Sequence, residues 1–379
     1  MGEWAGSLEG LAMTSSSRGC SFDFFQGKRV FITGHTGFKG SWLTFWLRRL
    51  GSEIAGFALE PHTNPSMFQA LDVRGDLSEH HVGDVRERRA LENAMSGFAP
   101  QVVFHLAAQP LVRESYEDPV GTFATNVMGT VHCLEAVRKL DCVQAVIIVT
   151  TDKVYRNQEW EWGYREIDAL GGKDPYSGSK AACELAVDAY RHSYFACAPK
   201  SGPVILSARA GNVIGGGDWS KDRLIPDAVR AIAEGMPVGL RNPGSIRPWQ
   251  HVIEPLAGYM MLAMYAVQRG GLSQAYNFGP AESEQADVEA VISMFCESWQ
   301  GSASYENLRS TGEPVHESRI LKLDAGKARA DLGWEPRLGL PETIAMTVEW
   351  YRAFYQGAQA QELRALTGRQ IAHYTGEAQ

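Results

Sequence analysis

Apolar and polar positions alternate in blocks along the first two hundred residues. Arg29-Val30-Phe31-Ile32-Thr33 is a short apolar run that enters a glycine-rich turn, and Ser41 to Leu50 follows with apolar residues at helical spacing. Further short apolar runs lie at Glu53 to Leu59, Val102 to Leu106 and Val143 to Val149, separated by helix-like segments such as Arg86 to Ser96 and Thr122 to Lys139. Strands that alternate with helices predict a parallel sheet covered on both faces and joined by right-handed crossovers. The fold class expected is therefore α/β, a doubly wound parallel sheet of the Rossmann type. After Gly211 the pattern changes to loops rich in Gly, Pro, Trp and Arg (Gly215 to Arg223, Arg241 to His251) between shorter elements. That shift suits a smaller C-terminal α/β lobe that covers a substrate.

A chain of 379 residues is longer than a typical single domain, so a large domain with a smaller companion, or one extended unit, is expected. The net charge of -8 disfavours non-specific binding of nucleic acid, though it leaves room for a local basic pocket. The longest apolar stretch, Leu256 to Val267, is too short to span a bilayer and contains a glycine, so no membrane partner is expected. Six cysteines show neither C-x-x-C spacing nor nearby histidine clusters, which implies free thiols, a cytoplasmic setting and no metal site. Residues 1–20 lack the basic start and apolar run of a secretion signal and read as a flexible tail, either an added leader or an over-long start.

Gly34-His35-Thr36-Gly37-Phe38-Lys39-Gly40 places three glycines between the first strand and the first helix. A diphosphate could approach such a turn closely, because no Cβ obstructs it and the helix N-terminus offers N–H groups and partial positive charge. A purely structural turn is the alternative. An acid for the adenosine ribose is expected ~20 to 25 residues onward. That register reaches Ala58, with Glu60 as a substitute or a solvated loop acid. Asp84-Val85, after a third strand, could meet the adenine, or Asp84 could cap a helix. No arginine cluster follows Leu59, so NAD is favoured over NADP.

Tyr176-Ser177-Gly178-Ser179-Lys180 opens another helix, and the i, i+4 spacing puts phenol and ammonium on one face. A lysine there lowers the cost of a phenolate and so favours a general base, while a surface pair is the alternative. Thr150-Thr151-Asp152-Lys153 falls at the carboxyl end of a strand, where ligands bind in open α/β sheets. These residues could hold a substrate oxygen and move protons, or they could simply cap the strand.

The glycine turn, the Tyr176 to Lys180 motif and His105-Leu106-Ala107-Ala108-Gln109 together resemble the extended short-chain dehydrogenase/reductases that act on sugar nucleotides. Thr151-Asp152-Lys153, Ala210 to Trp219, Asp222 to Asp227 and Arg247 to Val252 are similar to the 4,6-dehydratases within that family that use CDP-glucose. The resemblance implies NAD as cofactor, a homodimer, and a substrate, CDP-glucose, that is oxidised at C4, dehydrated across C5 and C6, and reduced at C6. It makes Thr151, Asp152, Lys153, Tyr176 and Lys180 catalytic. Asp152 is the implied acid for the 6-hydroxyl, and Lys153 either a base for C5 or the group that orders a water there.

For the cofactor, the resemblance and the turn together point to Gly34, Thr36, Gly37, Phe38, Lys39, Gly40, Asp84, Val85, Leu106, Ala107, Ala108, Thr150, Tyr176 and Lys180. For the substrate they point to Gln109, Asn212, Arg223, Leu224, Arg247, His251 and Arg319, with His316 to Ser318 closing over the nucleotide. Arginine forks suit diphosphate oxygens, although solvated surface arginines are the plain alternative. The expected division is a tail at 1–20, an NAD-binding domain at 21–210, and a mainly substrate-binding lobe at 211–379 with segments returning to the first domain. A 4-epimerase, another sugar-nucleotide dehydratase and a non-catalytic NAD-sensing scaffold are the rival readings. The helices Thr122 to Lys139 and Ser179 to Phe195 carry apolar residues on more than one face, as a dimer interface or burial within one chain would each require.

Overall fold

The computed structural model describes residues 21–195, 202–269, 275–281, 284, 286–301, 303–308 and 319–377. The tail expected at 1–20 and the segment His316 to Ser318 lie outside the described residues. Seven parallel strands form the central sheet: β1 (Arg29–Thr33), β2 (Glu53–Ala58), β3 (Glu79–Val82), β4 (Val102–His105), β5 (Ala145–Val149), β6 (Val204–Ala210) and Ala275–Phe278. Their spatial order is Ala275–Phe278, β6, β5, β4, β1, β2, β3. The chain winds outward from β1 to β3, then restarts at β4 on the other side of β1. The connections leave in opposite directions there, and a crevice opens above the carboxyl ends of β1 and β4.

Alternation along each buried strand feeds two apolar layers. Val30 and Ile32 of β1 join one cluster with the helices Phe38–Arg49 and Ile253–Arg269, whereas Phe31 joins the other with Arg88–Phe98, Gly129–Val137 and Pro175–Tyr190. The segment expected as one helix from Thr122 to Lys139 is instead built in three parts. Pro119–Phe123 is capped by Asp118, whose carboxylate accepts from the Gly121 N–H at 2.8 Å, then Ala124–Met128 is π-helical, and Gly129–Val137 resumes the α-helix. A π-helical turn inserts one residue into the spiral and re-aims the side chains beyond it.

Beyond Gly211 the strands are short. Val213–Ile214 pairs with Gln250–His251, Val238–Leu240 with Tyr305–Asn307, and Ile246–Arg247 with Ala286–Asp287. Two segments of this half return to the central sheet: the helix Ile253–Arg269 packs on it, and Ala275–Phe278 pairs with β6. The last two helices, Leu340–Tyr355 and Ala360–Thr375, brace both halves. Gly216 abuts Trp350 so closely that a Cβ there would lie 2.0 Å from the ring, and Arg364 forms a paired ion bridge to Asp76 at 2.7 and 2.9 Å. No helix among the described residues is long and apolar enough to cross a membrane.

Candidate active site

The crevice at the carboxyl edge of the sheet is a cleft of about 1220 Å³. Its floor is the glycine turn. Gly34 has φ +77°, and a Cβ on it would lie 2.7 Å from the Ala107 amide nitrogen; one on Gly40 would lie 2.1 Å from the Gly34 carbonyl oxygen. Neither position admits a side chain while the turn stays closed. The Thr36 hydroxyl donates to the Leu59 carbonyl at 2.8 Å and ties the turn to the end of β2. In the first helix the earliest i to i-4 bond is Ser41 N–H to the Gly37 carbonyl, 2.8 Å, so the N–H groups of Phe38 and Lys39 have no acceptor within the helix. A diphosphate fits this cradle, and Gly34, Thr36, Gly37, Phe38, Lys39 and Gly40 all line the cleft.

Asp84, Val85, Leu106, Ala107, Ala108 and Thr150 line the same cleft, as do Ala58 and Glu60. Asp84 is not a helix cap, since the next helix starts at Arg88. It accepts from the backbone N–H of Arg86 at 2.8 Å and from the Arg86 guanidinium at 2.8 and 2.5 Å. The bonds from Arg86 hold the Asp84 carboxyl below its ordinary range. Arg86 thus belongs to the cleft wall, a neighbour that spacing alone did not reveal.

The predicted catalytic residues converge from two elements. Thr151, Asp152 and Lys153 follow β5, where the Thr151 hydroxyl caps a short 3-10 turn by accepting from the Lys153 N–H at 3.3 Å and donates to the Asp152 carboxyl at 2.9 Å. Thr151 thus caps the turn that follows β5, and Thr150 to Lys153 also line the cleft. Tyr176 and Lys180 come from the helix Pro175–Tyr190, which starts sharply because Pro175 is pre-set for a first turn and Asp174 accepts from the Ser177 N–H at 2.9 Å. The Lys153 ammonium stands 5.9 Å from the centre of the Tyr176 ring.

The electrostatics differ from the simple expectation for a tyrosine next to a lysine. Burial pushes the Tyr176 phenol up to about 12, with hydrogen bonding between it and Thr151 pulling the other way. Lys180, lowered by burial, donates to the Val149 carbonyl at 3.1 Å and not to the phenol. Asp152 is 2% exposed, and one of its carboxylate oxygens has no partner among the described residues. Burial raises its pKa against the pull of Lys153, Thr151, Arg247 and Lys39.

On the substrate side Gln109, Asn212, Arg223, Leu224 and Arg247 line the cleft. The Gln109 side chain is largely spent on its own loop, as its amide donates to the Leu111 carbonyl at 3.1 Å and to the Thr122 hydroxyl at 3.0 Å. Arg223 pairs with Asp218 at 3.1 Å, and Arg247 donates to the carbonyls of Ile246 and Arg319 at 2.9 and 3.3 Å. Two expected substrate contacts are not brought to the cleft. His251 is fully buried, edge-on to Trp42 at 5.7 Å, because its strand pairs with Val213–Ile214 and turns the ring into the core. Arg319 is exposed and does not line the cleft, although its backbone carbonyl supports Arg247. Asp222, bridging Arg113 at 3.4 Å and Arg241 at 3.0 Å, joins the two halves across the cleft and was not foreseen. No motif links residues so far apart in the chain.

The GDP-mannose 4,6 dehydratase family matches residues 31–347. The chain belongs to this family. It is 48% identical over 355 residues to the CDP-glucose 4,6-dehydratase of Salmonella typhimurium, covering 93% of this chain and 97% of that one. The dTDP-glucose 4,6-dehydratase of Xanthomonas campestris pv. campestris is 27% identical over 341 residues, covering 84% and 92%. Among solved structures, the NAD complex of Thermus thermophilus UDP-glucose 4-epimerase superposes with a TM-score of 0.72 at 26% identity, over 86% of this chain and 99% of that one. The dTDP-glucose 4,6-dehydratase of Bacillus anthracis, also with NAD, has a TM-score of 0.70 at 22% identity over 86% and 97%, a likeness of fold. The doubly wound α/β architecture and the family membership both agree with the sequence reading.

Proposed function

We propose that this chain is a lyase that converts CDP-glucose to CDP-4-dehydro-6-deoxyglucose and water, with NAD bound and regenerated in each turnover, in deoxysugar biosynthesis. One observation carries the reading: Tyr176 and Lys180 share a cleft with a buried Asp152 and Lys153, in a chain nearly half identical to a CDP-glucose 4,6-dehydratase along almost its whole length. NAD, held along the glycine turn, supplies a hydride acceptor for C4 and a hydride donor for C6.

Tyr176 takes the proton of the 4-hydroxyl. Its phenol needs help to ionise at neutral pH, and a cationic group beside it in the occupied cleft offsets the burial that holds it near 12. Oxidation at C4 acidifies the C5 proton, because the carbanion is delocalised into the ketone. Asp152, whose pKa burial raises, is suited to give a proton to the departing 6-hydroxyl, and Lys153 stabilises the carboxylate left behind. Arg223, Arg247 and Asn212 are suited to the substrate diphosphate and its neighbours. A 4-epimerase would employ Tyr176 and Lys180 alone and leave the acid at 152 without a task.

Incubation with CDP-glucose should yield the alkali-induced absorbance of a 4-keto-6-deoxy sugar nucleotide. Absence of that signal, together with turnover of another sugar nucleotide, overturns the assignment. The cytoplasm suits the chain, since Cys133, Cys142, Cys183 and Cys296 are all free thiols. A homodimer is the assembly we favour. Val120 is 79% exposed and Leu185 61%, on the two helical segments that carry surplus apolar surface, with Phe123 and Met128 beside Val120 in sequence.

A further inference from the structure

Asp222 puts a negative charge into a cleft proposed to receive a diphosphate, where like charges repel. Lys221 and Arg223, its neighbours in the chain, line the same cleft. Its backbone lies in the left-handed region, φ +58°, which aspartate and asparagine tolerate better than other residues with a Cβ. The bonds that Asp222 makes show what its carboxylate does.

One carboxylate oxygen of Asp222 meets two arginines. Arg241, directly after the strand Val238–Leu240, donates to it at 3.0 Å, and the Nε of Arg113, on the helix Val112–Glu117, lies 3.4 Å from it. Arg113 belongs to the first half of the chain, whereas Asp222 and Arg241 belong to the later half. The contact with Arg113 therefore spans the cleft, and Arg241 braces the carboxylate from its own side. The charges nearby are paired elsewhere: Arg223 with Asp218 at 3.1 Å, and Asp227 with Arg230. The side chains of Arg113, Asp222 and Arg241 remain 45%, 36% and 51% exposed, so solvent and salt weaken the link and allow it to open.

We propose that Asp222 is a positioning residue that latches the two halves over the sugar nucleotide through Arg113, and so retains the oxidised intermediate until hydride returns to C6. The proposal rests on the dehydratase reading. Between the first and last steps the hydride from C4 is on the nicotinamide, the proton of the 4-hydroxyl is on Tyr176, and the sugar is a ketone. Escape of that ketone strands the cofactor in its reduced form and the turnover is lost. The latch must also open once per turnover to release product, and exposed ion pairs, each weak, suit a contact that is made and broken on that schedule.

The test uses the NAD-loaded enzyme with two readouts. Stopped-flow displacement measures how fast CDP leaves, and reduced-nicotinamide absorbance set against product during turnover of CDP-glucose measures stranded cofactor. Asp222→Asn keeps a residue that tolerates the left-handed backbone and removes the charge. It should speed CDP release about 2- to 10-fold and raise the stranded share by a similar factor. Arg113→Gln should act in the same direction, and the double variant should release CDP no faster than Asp222→Asn, because both substitutions remove one contact. Urea midpoints near the wild-type value report that the variants fold. Slower CDP release from Asp222→Asn overturns the proposal, since the carboxylate would then only repel the diphosphate; unchanged release, or additive effects of the two substitutions, overturns it as well. Failure of the wild type to form product defeats the dehydratase reading, while the CDP measurement still decides whether the latch exists.

Discussion

At Tyr176, burial and chemistry pull in opposite directions. The phenol must ionise to serve as a base, yet its surroundings hold it near 12. Tyr176→Phe keeps the ring and its packing, so NAD binding should persist while turnover falls by about 10²- to 10⁴-fold. Steady-state rates and NAD calorimetry check this, and surviving turnover would remove Tyr176 from the base position. Tyr176 and Lys180 were legible because four residues on a helix make one face. The direction of the Lys180 bond, to the Val149 carbonyl, was not legible because it depends on where β5 lies. Lys39 was read as a cofactor residue from its place in the turn, and only the fold shows its ammonium 3.4 Å from the hydroxyl of Tyr259. His251 followed its motif into the substrate list, but the sequence does not say which face of a two-residue strand points inward.

Elements are joined in this molecule by buried polar groups as well as by apolar layers. Glu254, fully buried on the helix Ile253–Arg269, accepts from the N–H groups of Arg337 and Leu338 at 2.6 and 2.7 Å and from the Tyr374 hydroxyl at 2.9 Å. It therefore fastens the final helix to the core. Burial lifts its pKa from 4.5 to about 7, against the pull of those bonds. The folded state then binds the extra proton, so this contribution to stability is full below about 4.5 and is lost as pH rises through about 7. Urea midpoints measured across that window should fall with rising pH in the wild type and flatten in Glu254→Gln; an unchanged slope would dismiss Glu254 as its source. A second buried link runs from the Thr150 hydroxyl to Glu184 at 2.6 Å and from Glu184 to Arg209 at 3.0 and 3.1 Å. Arg209→Met leaves Glu184 buried without its partner and should destabilise the fold by roughly 3–5 kcal/mol, as a shift in the same midpoints. Periodicity had given the strand before Thr150 and the helix that carries Glu184, but not the elements that carry Arg209, Glu254 and Tyr374, nor the pairs, which are up to 120 residues apart.

For the whole molecule, the strand and helix alternation was enough to read the parallel sheet, since β1, β2, β4 and β5 are each built on a short apolar run. The later half was harder. Ala275–Phe278 is too short to announce that it joins β6, and the last two helices bridge both halves through contacts such as Gly216 on Trp350 within the later half and Arg364 on Asp76 across to the first. Assembly is tested at this scale. Leu185→Glu or Val120→Glu should convert the dimer to monomer in light scattering without loss of helix content, whereas a wild type that is already monomeric contradicts the proposed interface.

The proposed reaction moves hydrogen internally from C4 to C6 of a CDP-sugar. CDP-glucose carrying deuterium at C4, turned over with catalytic enzyme and no added reductant, should give a 4-keto product whose label sits in the C6 methyl group by NMR. Label that remains at C4, or that is lost to solvent, would rule out this internal transfer.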